Sequence, residues 1–127
     1  MHIGHIAMYV SRLEEARDFF VAFFAATPNQ GYHNPKTGLS TYFLTFDGGA
    51  KLELMAKPGL ADGPGPLEQG GYTHLAFSVG DRDGVNALTA RLEQAGYPVL
   101  SGPRVTGDGF YESLVCGPEG CRIEITV

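Results

Sequence analysis

The sequence predicts an α+β fold: two tandem β-α-β-β-β modules, forming a cupped, mostly antiparallel eight-stranded sheet with the helices outside. Three observations predict it. Apolar and polar residues alternate with period two in many short runs, and two stretches of helical periodicity interrupt them. The order of these runs is the same in both halves of the chain. Residues of distinctive chemistry recur at nearly constant offsets: His5 and His74 lie 69 apart, and Glu53 and Glu124 lie 71 apart. Around them "KLEL" matches "RIEI" and "TGLSTY" matches "DGFYES", the self-similarity of a duplicated unit.

Each element follows from local signals. "HIGHIAMYV" (2–10) reads as a strand, and "SRLEEARDFFVAFF" (11–24) as a helix with Leu13, Ala16, Phe20, Phe23 and Phe24 at helical spacing. Ser11 and Glu14 have the spacing of a capping box at its start. A loop or short strand (31–38) precedes strands over 39–46 and 50–57, joined by the hairpin signal Asp47-Gly48-Gly49. The second half repeats this: a strand over 72–80, a helix over 81–96, a short strand over 98–103, and a hairpin of 109–115 and 121–127 about "GPEG". Asp81 is the expected N-cap of that helix, Val85, Leu88, Leu92 and Ala95 its apolar face, and Gly96 its stop. The Gly- and Pro-rich "PGLADGPGPLEQGG" (58–71) reads as a linker between module 1 (1–57) and module 2 (72–127) within one domain of residues 1–127.

Bulk properties exclude several roles. A net charge of −5 with no run of Lys or Arg disfavours nucleic acid, whose binding rests on clustered cations. The longest apolar run falls far short of a membrane span, and strand-like sequence from His2 leaves no room for a signal peptide, so a cytoplasmic location is expected. Cys116 and Cys121 flank the last turn and are positioned to face each other. Two small residues packed beneath a helix in a reducing compartment is the favoured reading, ahead of a redox pair.

The chemistry lies in four polar residues. If Leu52, Leu54, Ile123 and Ile125 face the helices, alternation turns Glu53 and Glu124 to the opposite side, together with His5 and His74. Pairing across the two hairpin turns is expected to place Tyr42 and Leu44 beside Glu53, and Tyr111 and Ser113 beside Glu124. Glu112 then falls on the other face as a structural residue. A carboxylate withdrawn from water costs several kcal/mol unless it gains a partner or a proton. Two imidazoles and two carboxylates form an N2O2 set suited to a first-row transition ion. A lone strand histidine is usually structural, and Lys51 or Arg122 could pair with the glutamates on a plain surface sheet. The joint recurrence of one His and one Glu in each module favours the metal. His2 and His33 lack this symmetry and read as surface or loop residues.

With these residues in hand, the whole chain resembles the vicinal oxygen chelate superfamily of glyoxalases, bleomycin-resistance proteins and extradiol dioxygenases. The resemblance lies in "HIGHIAMYVSRLEEARDFF", "KLELM", "YTHLAFSV" and the closing "GPEGCRIEI". It implies metal ligands at His5, Glu53, His74 and Glu124, the four-residue set of the glyoxalase I (lactoylglutathione lyase) branch. Extradiol dioxygenases and fosfomycin-resistance enzymes have three protein ligands. By resemblance, one divalent ion per site (Zn, Ni, Co or Mn) polarises a hemithioacetal of a 2-oxoaldehyde and stabilises an enediolate. Glu124 shuttles the proton between adjacent carbons, with Glu53 as its symmetric counterpart. Tyr42, Tyr111 and Ser113 are the expected substrate-binding residues. The resemblance also implies a homodimer with a small-molecule substrate. The segment after "KLELM" reads "AKPG", without the Asn common in bacterial glyoxalase I, and the cations Arg12, Arg17, Arg104 and Lys36 have no assigned role. A drug-sequestering protein of the bleomycin-resistance type and a metal-dependent epimerase are the alternatives.

Overall fold

The computed structural model describes residues 3–60, 72–107 and 109–127. His2 and most of the expected linker lie outside these residues. The chain divides into two compact units, Met1–Asp62 and Gly63–Val127.

The first unit runs β1 (His5–Tyr9), α1 (Leu13–Phe24), β2 (Thr27–Pro28), β3 (Tyr32–His33), β4 (Ser40–Thr45) and β5 (Lys51–Ala56). Its sheet has the order β1-β5-β4-β2, with β3 also on β4. β1 runs parallel to β5, and the other pairs are antiparallel. The second strand of the predicted module, expected over 31–38, is thus replaced by two short strands, β2 and β3, so the described residues carry sheets of five and four strands rather than eight strands. Asn29 causes the split. Its side-chain Oδ1 accepts from the Phe43 and Gly31 N–H groups (3.0 and 3.1 Å), replacing a backbone acceptor, and Gly31 turns through φ +77° beneath the Tyr42 ring.

The second unit runs β6 (Leu75–Ser78), α2 (Arg82–Gln94), β7 (Val99–Val105), β8 (Tyr111–Cys116), a 3-10 turn (Pro118–Gly120) and β9 (Arg122–Thr126), with sheet order β6-β9-β8-β7. β6 is parallel to β9. His74 therefore sits just before its strand rather than within it.

Helix capping agrees in α2 and differs in α1. Asp81 accepts from the Gly84 N–H at 2.7 Å, as its position predicts, and Gly96 follows the helix at φ +89°. In α1 the N-cap is Arg12, without a side-chain cap, so Ser11 lies one residue too early for the expected capping box.

Each helix covers one face of its own sheet. In the first unit Leu13, Ala16, Phe19 and Phe20 bury with Leu44, Leu52 and Leu54; in the second, Val85, Leu88 and Leu92 bury with Val115, Ile123 and Ile125. Fully burying an aliphatic side chain contributes about 1.5–3 kcal/mol, so these alternating positions fix which face of each strand turns inward.

The hairpin registers correct the expected neighbours of both glutamates. A two-residue turn at Gly48-Gly49 would set Leu44 opposite Glu53. Instead residues 46–50 form a five-residue connection, with Gly49 at φ +84°, and Thr45 pairs with Lys51. Phe43 then faces Glu53, while Tyr42 and Leu44 face Leu54 and Leu52. The second hairpin repeats this. Residues 117–121 connect, with Gly120 at φ +73°, and Cys116 pairs with Arg122 rather than facing Cys121. Leu114 now lies opposite Glu124, and Ser113 opposite Ile125. A one-residue slip sends every side chain to the other face. Tyr42, Tyr111 and Ser113 thus turn toward the helices, and Glu112 joins the face of Glu124.

Side-chain contacts agree with the registers. Arg17 of α1 donates to the Tyr42 hydroxyl at 3.0 Å and lies over its ring. The Tyr111 hydroxyl donates to Asn86 of α2 at 2.7 Å, and Ser113 meets Thr89 of α2 at 2.6 Å.

Candidate metal centre

The face of each sheet turned away from its helix carries one His–Glu pair. In the first unit Glu53 lies beside Ala7 of β1, and His5 lies two residues before Ala7. Residues two apart on a strand share a face, so the imidazole reaches diagonally to the carboxylate. His5 Nε2 is 3.7 Å from Glu53 Oε2, and the imidazole stands edge-on to the Phe43 ring (centroids 5.3 Å, 86°). The second unit repeats the geometry. Glu124 lies beside Ala76, His74 lies two residues earlier, and His74 Nε2 is 3.2 Å from Glu124 Oε2.

Burial divides the two residue types. The Glu53 and Glu124 side chains are 16% and 19% exposed, against 50% and 37% for His5 and His74. The carboxylates are therefore largely shielded from water while the imidazole edges stay open to an incoming ligand. Thr73 Oγ1 lies 3.0 Å from His74 Nδ1. If this hydroxyl accepts the Nδ1 proton, Nε2 keeps a lone pair directed at the Glu124 side, the usual outer support of a metal-binding histidine.

The donor separation of one pair fits a shared divalent ion, and that of the other is slightly long for one. Imidazole and carboxylate donors sit about 2.0–2.2 Å from such an ion, so two neighbouring donors lie about 3.0–3.5 Å apart. The His74–Glu124 pair falls inside this range and His5–Glu53 just beyond it. Each unit brings two donors together, and among the described residues no three His, Cys, Asp or Glu side chains are grouped to hold a metal ion.

The other expected site residues lie elsewhere. Tyr42 lines a pocket on the α1 side of its sheet with Leu13, Glu14, Tyr32, His33 and Ser40. His33 belongs to β3 and meets Ser40 Oγ at 2.8 Å. Cys116 and Cys121 are both free thiols. Burial, and then the neighbouring Cys116, push the Cys121 thiol up to about 12. Sequence reading missed Phe43, Leu114 and Glu112 on the glutamate faces. The signal that could have found them is the extra residue after each turn glycine, Ala50 after Gly49 and Cys121 after Gly120.

Among the described residues no helix is long and apolar enough to cross a membrane. The family model of the Glyoxalase/Bleomycin resistance protein/Dioxygenase superfamily matches residues 2–125. The uncharacterized protein YqjT of Bacillus subtilis is 27% identical over 95% of this chain and 94% of its own length. Glutathione transferase FosA of Serratia marcescens is 36% identical over 49% of this chain and 41% of its own. Among solved structures, the trypanothione-dependent glyoxalase I of Leishmania major superposes with a TM-score of 0.80 at 21% identity, over 99% of this chain and 86% of that one. A point mutant of the fosfomycin resistance protein FosX of Listeria monocytogenes, solved with Mn(II), superposes with a TM-score of 0.74 at 18% identity, over 98% and 90%. These structures share the fold, and the family match spans both His–Glu pairs. The chain belongs to the glyoxalase/bleomycin resistance protein/dioxygenase superfamily.

Proposed function

We propose that this protein is a metal-dependent, glyoxalase-like lyase or isomerase acting on a small α-hydroxycarbonyl compound, such as the hemithioacetal of a 2-oxoaldehyde, by proton transfer through an enediolate. The observation that carries this reading is the duplicated His–Glu pair, at matching sheet positions and with both carboxylates largely shielded. His5, Glu53, His74 and Glu124 would together hold one divalent ion, Zn, Ni, Co or Mn. Such an ion, when bound, supplies Lewis-acid stabilisation of negative charge on the substrate oxygens. Glu124 takes the proton from one substrate carbon and returns it to the next, and Glu53 is its counterpart on the other module. Both carboxylates are largely shielded from water, and Phe43 and Leu114 give the substrate an apolar contact beside each. The protein acts in the cytoplasm as a homodimer.

Metal content decides the reading first. Elemental mass spectrometry of untagged protein should find about one divalent transition ion per site, lost or loosened in Glu124→Ala. Loaded protein should then isomerise hemithioacetals, with the proton transfer followed by NMR in deuterated water. Folded protein that takes up no Zn, Ni, Co or Mn would falsify the reading. A second reading, a resistance protein whose ligand is a drug, is favoured by the 36% match to FosA. Thiol consumption in the presence of fosfomycin, or drug binding without metal, separates it. A metal-dependent epimerase would differ in product stereochemistry.

A further inference from the structure

The duplication breaks one step along the strand from Glu124. Where the first module has Thr41 opposite Met55, the second has Glu112 opposite Thr126. Glu112 and Thr126 share the face of Glu124, about 7 Å along their strands, the distance of two residues. A nearly symmetric pair of His–Glu donors cannot tell one end of a substrate from the other. Residues that differ between the modules on the same face can.

Three features single out this position. The Glu112 side chain is only 19% exposed, and Arg104 Nη2 approaches its Oε1 at 3.9 Å while remaining 57% exposed. That separation is longer than a hydrogen bond, so the guanidinium attracts the carboxylate and keeps donors for an anion. Thr126 Oγ1 is buried and without a hydrogen-bond partner among the described residues. A buried hydroxyl without a partner is a cost that a ligand can relieve. Gly102 lets the bulged β7 run tightly against β8 beside Glu112, because it takes φ +82° and a Cβ there would lie 2.5 Å from the Glu112 carbonyl oxygen. Arg12 and Arg17, by contrast, pair with Glu15 and Asp18 on or beside α1, away from the glutamate face.

We infer that Arg104, Glu112 and Thr126 form the subsite that fixes the orientation of the substrate, and that the group they read is a carboxylate with a hydrogen-bond donor on the adjacent carbon. The carboxylate pairs with Arg104, and the donor, a hydroxyl or an ammonium, is accepted by Glu112. Thr126 turns its buried hydroxyl outward to hydrogen-bond to the same group. This inference rests on the reading of Glu124 as the reacting carboxylate, and it gives that reading a substrate class: α-hydroxycarbonyl compounds bearing an α-hydroxy or α-amino acid end.

The test is an NMR titration of ¹⁵N-labelled protein, as purified and again with excess EDTA, using lactate, alanine, propionate and propane-1,2-diol as probes. Lactate or alanine should shift amides of β7, β8 and β9 around Arg104, Glu112 and Thr126, with or without EDTA; which of the two binds tighter tells hydroxyl from ammonium. Propionate should bind more weakly and propane-1,2-diol weakest. Loss of a charge-assisted contact in Arg104→Gln should weaken lactate by about tenfold or more. Glu112→Ala and, independently, Thr126→Val should erase the preference for lactate over propionate, and the spectra themselves report whether each variant is folded. Lactate binding that Arg104→Gln leaves unchanged, shifts that fall outside this corner, or equal affinity for lactate, propionate and the diol would each overturn the inference. Probe binding by protein that takes up no metal upholds this subsite and sinks the metal reading. Metal uptake without probe binding sinks the subsite alone.

Discussion

Ser113→Ala tests the register directly. Ser113 is 1% exposed and Thr89 is 4% exposed, and their hydroxyls are 2.6 Å apart. Thr89 Oγ1 also donates to the Val85 carbonyl at 2.6 Å, which uses its only proton. Ser113 must then be the donor to Thr89. Ser113→Ala removes that donor and leaves Thr89 bonded to Val85, so the loss is one net hydrogen bond, about 0.5–1.5 kcal/mol. Thr89→Val is the harsher change, because it leaves the buried Ser113 hydroxyl without an acceptor, at about 1–3 kcal/mol. The double variant removes both partners and should cost less than the sum of the two. An unfolding entropy of about 2.1 cal/mol/K per residue makes about 1 kcal/mol equal to about 4 °C in Tm for a chain of this length. Thermal unfolding by circular dichroism should therefore place Ser113→Ala about 2–6 °C below the wild type, with metal content and turnover unchanged. An unaltered Tm together with a raised KM would return Ser113 to the substrate side of the sheet and refute the register argument.

The remaining predictions concern other links. Cys121 should resist iodoacetamide at pH 8 until the protein unfolds, since burial and the nearby Cys116 hold its thiol protonated. The folded state binds that proton more tightly than the unfolded state, so this contribution is intact below pH 9 and is lost as pH rises toward 12. The urea midpoint should accordingly fall between pH 9 and 12, and fall less in Cys121→Ala. Asp81→Ala removes the cap on the Gly84 N–H and should lower stability by about 0.5–2 kcal/mol in urea unfolding. Ile125→Ala, at a position with no exposure, should cost about 2–5 kcal/mol by the same assay. Gly102→Ala meets backbone atoms of Glu112 and Ser113 and a positive φ, so it should destabilise by more than about 1 kcal/mol and shift the Arg104 and Glu112 amides in the ¹⁵N spectrum.

The sequence by itself determined the duplication, the two helices and the face of β5 and β9. Leu52, Leu54, Ile123 and Ile125 alternate with Glu53 and Glu124, and burying the aliphatic set leaves the carboxylates no other side. His5 and His74 were legible for the same reason, through their matched places before Ala7 and Ala76. The partners of the glutamates across each hairpin were not legible, because register is set by the length and conformation of the connection. One extra residue in a five-residue turn exchanges Leu44 for Phe43 and Ser113 for Leu114. Local pattern could not arbitrate in β8, where a polar Ser113 is buried and an apolar Leu114 is only partly so. That inversion is stable only because Thr89, on a helix 24 residues away in sequence, satisfies the serine hydroxyl. A buried polar group is placed by its partner, and the partner is brought by the tertiary fold. The same is true of Glu112, whose approach to Arg104 depends on a bulged β7 that no periodicity announces.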